Sequence, residues 1–465
     1  MPVPLHDLPA DIILEVVSFL ELPDPLSLLL TCSSLYSLSK QRSLWISVLE
    51  TTRKKSLLAC PLHADLSHYT LKGLKGLVVS WLKLHKNWNQ PFPEIVQPMT
   101  FEPLSEPAEF IFGVQGTDIL VLDMRGSVSF WDAKLAAPFP FPAIETGGSI
   151  STVSAPSEAP GVCSITILAP QVAVPHTARR YIITIKHEEG KAIGITNEFS
   201  EVLDSRVLRY ETLFLTEDVV GSVVAIHDQE DCIVTVGSVS GKSRFPDTAS
   251  VLKLHRSLST NTELMVCFAY KGHLYSLLED GVSVQIQHIS RQSLCSRHCE
   301  ESGLYSSEIR SYREFLPFCS IIPSTPFYGV SAVFIRQGSV GDVDEGDHSN
   351  STFISFTFLT NTLPDDMTSS LAFDPLCLTT YVRGTLLMVR MDHSGFNVIV
   401  VVQTDIPKLM LVRYHAETRH ATTHTLSVPD TVDLLNLHAL WIDGPAGAVY
   451  LVDRQGLFFT LRYVI

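Results

Sequence analysis

The 465-residue chain contains no uninterrupted apolar run of the roughly 18 residues a membrane-spanning helix needs, so no membrane partner is expected. Its opening, Met1-Pro2-Val3-Pro4-Leu5-His6-Asp7, has no basic segment ahead of an apolar one. A secretory signal is therefore not expected, and the sequon Asn350-Ser351-Thr352 is read as unused. Cysteine is sparse and unpaired in pattern: nine residues, at 32, 60, 163, 232, 267, 295, 299, 319 and 377. That excludes a disulfide framework and suits reduced thiols, which places the protein in the cytoplasm, the nucleus or both. Positive charge is also short, with 34 Lys and Arg against 49 Asp and Glu. The deficit is uneven: residues 1–100 carry nine basic and eight acidic groups, residues 101–465 carry 25 and 41. An acidic body argues against nucleic acid, which requires basic surface to displace counterions, and leans toward basic partners.

Signatures of chemistry are missing as well. There is no nucleophile elbow, no phosphate-cradling loop, no dinucleotide fingerprint and no H-E-x-x-H. No catalytic, cofactor-binding or metal-binding residue is assigned, and a non-catalytic protein without cofactors is expected. Cys295, His298 and Cys299, with His288 upstream, form one irregular cluster where a structural zinc site shows two short paired spacings. Asp342, Asp344, Glu345 and Asp347 lack the spacing and closing Glu of a calcium loop and read as a solvated loop within 337–351. His415, His420 and His424 read as a solvated turn, and Thr146–Gly161 as a surface loop.

What is present begins at the front. Residues 8–20 predict a helix, with Ile12, Ile13, Val16, Val17, Phe19 and Leu20 at three- and four-residue spacings. Pro23 and Pro25 break it. A second helix is expected through Leu26, Leu29, Leu30 and Ser33, and a third over Leu44-Trp45-Ile46-Ser47-Val48-Leu49. So many large apolar groups in about forty-five residues cannot all be hidden, so some must face either a partner or the protein's own body. Leu8-Pro9, the acid at Asp11, Ile13-Leu14, Leu20, the proline-broken corner, the turn at Cys32 and Leu44-Trp45 together resemble an F-box. Cys32-Ser33-Ser34-Leu35-Tyr36 departs from the family, which often places Arg after the Cys and Trp a few residues on.

The resemblance implies the substrate-recognition subunit of an SCF-type E3 ubiquitin ligase. It implies a Skp-type adaptor as partner, cullin through that adaptor, and a protein substrate whose identity the sequence does not carry. The adaptor contacts carried over are Leu8, Pro9, Ile13, Leu14, Val17, Leu20, Leu26, Leu29 and Trp45. Two other readings stand beside it: a β-propeller enzyme or ligand binder with a helical cap, and an F-box scaffold that transfers no ubiquitin.

Residues 67–88 predict an amphipathic helix striped with Leu71, Leu74, Leu77, Val78, Trp81, Leu82, His85 and Trp88, expected to pack on both the front module and the body. After residue 100 the helical period gives way to short β-type runs punctuated by x-Gly turns. Examples are 119–122 and 127–132 around Arg125-Gly126, 378–382 and 385–391 around Arg383-Gly384, and 448–453 and 457–463 around Gln455-Gly456. Such spacing admits a β-propeller or paired β-sandwiches. At roughly 40–50 residues per blade, a propeller of about seven blades is expected. The terminal strand would then close the ring on the blade begun near residue 110. The expected fold class is thus mixed: an F-box at 1–50, a helical linker at 51–100 and an all-β propeller-like domain at 101–465.

Overall fold

A computed structural model describes residues 8–464 apart from 21, 54–57, 62–63, 98, 172–176, 189–190, 204–206, 217–218, 227–230, 239–249, 256–262, 271–272, 280–283, 290–293, 295–306, 309–317, 326–328, 338–350, 362–370, 374–377 and 416–417. Cys295, His298, Cys299 and the acidic positions 342–347 lie outside the described residues, as does Asn350. Among the described residues no three or more His, Cys, Asp or Glu stand close enough together to hold a metal ion, and no helix is long and apolar enough to cross a membrane.

The front is four helices rather than three: α1 (Ala10–Ser18), α2 (Pro23–Leu29), α3 (Ser33–Leu38) and α4 (Arg42–Arg53). Pro23 sits in the first turn of α2, where its missing N–H has no helical partner to lose. The expected run through Ser33 stops at Leu29. The amide of Thr31 turns back to the Leu28 carbonyl at 3.2 Å, and extended Cys32 starts α3. The 18-residue α5 (Leu71–Trp88) follows, its first turn capped by Thr70 Oγ1, which accepts from the Gly73 amide at 3.1 Å.

Among the described residues the rest is β-structure in seven antiparallel sheets of four or five strands, six of them built from strands close in the chain and one that also takes in the remote Thr100–Pro103. Sheet packs on next sheet in chain order through the strands that open them. Glu109–Gly113 packs on Leu437–Asp443, Val207–Leu215 on Glu263–Tyr270, Glu263–Tyr270 on Phe318–Thr325, and Thr385–Met391 on Leu437–Asp443. The first and second sheets share a core of Phe112, Val121, Val128, Ile165 and Ile183. Antiparallel sheets that pack on one another in this succession fit the arrangement of a β-propeller.

Ring closure differs in one respect from the sequence reading. The terminal strand Leu457–Arg462 does not join the blade near residue 110. It pairs antiparallel with Thr100–Pro103, in the register Thr100↔Thr460 to Pro103↔Leu457. The last sheet is therefore built from both ends of the β-domain, and neither end leaves its edge bare toward the other.

Two further expectations are revised. Arg383-Gly384 is no hairpin: Leu378–Arg383 pairs with Ser351–Asn361, while Thr385–Met391 opens the next sheet. Gly384, at φ +117°, carries the chain from one sheet to the next, a job that needs the same residue as a tight turn. The stretch 146–161 is not a plain loop. Thr152–Val153 and Ser157–Ala159 both pair with Val162–Pro170, and Thr146 and Ser154 are buried.

Aspartates serve the strand turns. Asp453 Oδ1 accepts from the amides of Gln455 (2.9 Å) and Leu457 (2.8 Å), and Asp132 Oδ1 from those of Lys134 (2.8 Å) and Leu135 (3.0 Å). Buried Asp392 accepts from Ser394 and Asn397, through both backbone and side chain. Buried Asp443 accepts from the Ala446 amide at 3.0 Å, and burial still pushes its carboxyl up to about 7. These carboxyls spend their acceptor capacity on turn geometry.

Candidate adaptor-binding surface

The helical module builds its own core first. Ile13 and Val17 on α1, Leu29 on α2, Leu35 and Leu38 on α3, and Leu44, Trp45, Val48 and Leu49 on α4 are all buried in one cluster. Trp45 is fixed from both sides: its indole N–H donates to the Ser39 carbonyl at 2.8 Å, and Lys75 Nζ lies 5.4 Å from its ring centroid. The cluster does not end at residue 50. Leu58, Cys60, Leu66, Leu74 and Val78 belong to it, so α5 completes the module.

The nine sequence-assigned contacts therefore divide. Ile13, Val17, Leu29 and Trp45 are inward-facing core. Leu8, Leu14, Leu20 and Leu26 are half-buried, and Pro9 is exposed. The large apolar groups that do stand in solvent are others: Phe19 at 76% exposure, Leu30 at 75%, Tyr36 at 53% and Ile12 at 45%. A helical period could have separated them. Ile12 and Phe19 are seven apart and share one side of α1, while Ile13 and Val17, four apart, share the other. Burying such groups on a partner is worth roughly 1.5–3 kcal/mol each, so this exterior is the part of the module with binding energy to give.

The module is held to the ring by α5, whose two halves lie in different cores. Leu74 and Val78 pack with α1–α4, whereas Leu84 and Trp88 pack with Leu411, Leu440, Val449 and Leu461 of the last two sheets. Asn87 seals the junction. Its Nδ2 donates to the carbonyls of Glu94 and Tyr463, both at 2.7 Å, and its Oδ1 accepts from the Glu94 amide at 3.0 Å. Arg413 Nη1 donates to Asn89 Oδ1 at 2.8 Å, and its guanidinium lies 5.5 Å from the Trp88 ring. Backbone meets backbone at the turn of Gly116 (φ +65°), where a Cβ would fall 2.0 Å from the Cys60 carbonyl. Only glycine allows that approach.

The three C-terminal histidines are not a solvated turn. His415 and His420 face each other across the hairpin of Lys408–His415 and His420–Thr425, with rings stacked at 4.6 Å, and His424 is buried. His415 lies near His85 of α5, which stacks on Trp81 at 3.6 Å. Burial, with Arg413 and His415 nearby, holds His85 down to about 3. Burial and Arg413 likewise hold His415 down to about 4. The unfolded chain protonates these rings near pH 6.5, so their contribution is intact above that value and lost as pH falls toward the folded pKa. Buried carboxyls such as Asp443 move the opposite way, so the clean comparison is against a His85→Phe variant, which keeps the stack. Wild type is expected to lose stability relative to that variant by about 1.4 kcal/mol per pH unit between 6.5 and 4, in urea unfolding at matched pH values. A flat difference across that range would remove His85 from the account.

Fold and surface together define a compact helical module joined through α5 to a body of antiparallel β-sheets. Residues 5–51 match the F-box-like domain model, so the helical front is F-box-like. No curated protein matches the chain. Solved structures similar to it include hydrazine synthase of Kuenenia stuttgartiensis, at 10% identity and a TM-score of 0.41, with 78% of this chain and 97% of that one covered. Hsv2 of Kluyveromyces lactis is similar at 11% identity and a TM-score of 0.36, covering 76% and 91%. Drosophila Plexin A, in complex with Semaphorin 1b, is similar at 7% identity and a TM-score of 0.42, covering 80% and 88%. At such scores these likenesses carry no weight for function.

Proposed function

We propose that this protein is the substrate-recognition subunit of an SCF-type E3 ubiquitin ligase. The observation that carries the reading is the F-box-like match at 5–51 on a module whose exterior bears Phe19, Leu30, Tyr36 and Ile12. A Skp-type adaptor covers these groups together with Pro9 and the half-buried Leu8, Leu14, Leu20 and Leu26, and cullin joins through the adaptor. The buried Ile13, Val17, Leu29 and Trp45 act beneath that surface by holding the helices in place. The β-ring binds a protein target and performs no chemistry itself. It supplies proximity, raising the effective concentration of a target lysine near ubiquitin loaded elsewhere. The α5 junction, packed into both cores and tied by Asn87, suits this role, since a floppy connection dilutes effective concentration. Cytoplasm and nucleus are the compartments in which such a ligase works.

Reconstitution tests the assignment. The full chain mixed with a Skp-type adaptor is expected to co-elute with it, and added cullin to enter the same peak. Co-elution with adaptor but exclusion of cullin would reduce the protein to a scaffold, and failure to bind adaptor would remove the reading altogether.

A further inference from the structure

A groove opens between the first and second sheets. Residues 141–145 line it on one side; Arg179 and Tyr181, with Ile195, Asn197 and Phe199 of the next strand, line it on the other. Strand register puts these five on one face, since Tyr181 stands opposite Phe199 and Ile183 opposite Asn197. The groove encloses about 240 Å³, less than the roughly 300–1,000 Å³ of small-molecule sites, so it admits a side chain rather than a whole ligand. Its walls are already tied together: the Tyr181 hydroxyl is shared between the carbonyls of Glu145 at 3.2 Å and Thr146 at 3.3 Å. The Arg179 guanidinium lies 5.3 Å from the Phe199 ring centroid, and Glu145 stands exposed on the opposite lip.

The strand that carries Phe199, Lys191–Leu203, is also the edge of its sheet. It pairs with Thr177–Glu188 on one side, and among the described residues no strand pairs with its other side. At 13 residues it outruns Ser250–His255 and His420–Thr425, the 6-residue strands that hold the same place in their sheets. Past a bulge at Ile193, residues 194–203 keep unbroken register and contain no proline. Ile193 is 59% exposed and Phe199 56%. Edges are ordinarily blunted by shortness, proline or charge, and a long one with apolar groups in solvent is a template for another strand.

We propose that this edge binds a basic, extended segment of a protein target as an added strand. The segment pairs with the outer side of Lys191–Leu203, sets an aliphatic side chain between Phe141 and Phe199, and places a Lys or Arg on Glu145. Alternate side chains of an added strand fall on one face, so the aliphatic and basic residues stand two apart in the segment. A basic segment also suits the acid excess of residues 101–465, with 41 acidic groups against 25 basic ones. That the segment belongs to a ubiquitination target rests on the function proposed above. Strand addition itself does not, because the adaptor is assigned to the helical module.

Panning the full chain against a displayed library of random peptides of about nine residues, the length of a long strand, tests the proposal. Enriched peptides are expected to carry Lys or Arg two positions from an aliphatic residue. In fluorescence anisotropy they are expected to bind Phe199→Glu and Glu145→Lys roughly tenfold or more weakly than wild type. Both positions are exposed, so both variants should keep the wild-type melting curve and co-elute with the adaptor as before. Backbone pairing has its own readout, because a strand bonds its neighbour through alternate residues. Methylating every second peptide amide should abolish binding in one phase and spare it in the other. No enrichment, undiminished affinity for the two variants, or equal tolerance of both methylation phases would overturn the proposal. Self-association of the wild type that Phe199→Glu abolishes would give the edge to a second copy and overturn it as well.

Discussion

Phe19→Glu is expected to abolish adaptor capture without disturbing the fold. Phe19 is 76% exposed at the C-cap of α1, so the folded monomer loses almost no packing when it is replaced. A complex that buries it loses an aromatic anchor and gains a desolvated carboxylate. Anchors of this kind cost about 2–4 kcal/mol on truncation, and the charge adds to that, so binding should fall by roughly 100-fold or more. Leu30→Glu, at 75% exposure, should behave the same way. The control is the neighbouring Leu29→Glu. Leu29 is 3% exposed, so a charge there unfolds the module and lowers thermal stability along with binding. The expected signature is two variants that keep the wild-type melting curve and lose the adaptor, beside one that loses both. Undiminished capture by Phe19→Glu and Leu30→Glu in a pull-down would move the adaptor to another surface.

The second large effect lies at Trp88. Its side chain is 1% exposed in the core of the last two sheets, at the end of a helix whose other half belongs to the F-box-like module. Trp88→Ala removes the largest apolar group that ties the two units, and truncations of buried aromatics cost about 3–5 kcal/mol. It also strips the ring from Arg413, which is left with its bonds to Asn89 and Asn397. Separation of the two units, rather than collapse of either, is the expected outcome. Limited proteolysis should cut near residues 89–99 and release a ring fragment that stays resistant, while the wild type remains whole. Trp88→Phe should restore most of the resistance, because it keeps the apolar volume and a ring face for the guanidinium. If Trp88→Ala is cut no faster than wild type, the junction is held elsewhere, with Asn87 the next residue to test.

Much of this architecture was legible in the chain. The two strand pairs 119–123 with 127–132 and 448–453 with 457–462 announced themselves by apolar runs ending in Asp and an x-Gly turn. The α5 stripe announced a helix with apolar groups to bury on two partners. The difference between Arg125-Gly126, a hairpin, and Arg383-Gly384, a crossing between sheets, was not legible. Both need a positive-φ glycine between strands, and nothing local says which strand comes next to which. The pairing of Thr100–Pro103 with Leu457–Arg462 was hidden for the same reason, since its partners are remote in sequence.

The candidate site shows the same division. Composition and spacing determined a helical front, an acidic β-rich body and a helix between them, because local periodicity follows from backbone geometry; the F-box likeness of the front came from its resemblance to that family. Which apolar residues of the front remain for a partner was decided by tertiary packing alone. Ile13, Val17, Leu29 and Trp45 read as contacts in the sequence, but α3, α4 and α5 cover them. Phe19, Leu30 and Tyr36 are left outside because no described element of this chain packs over them. Hydrophobicity is a property of the residue. Exposure is a property of its neighbours, and most of those come from elsewhere in the chain.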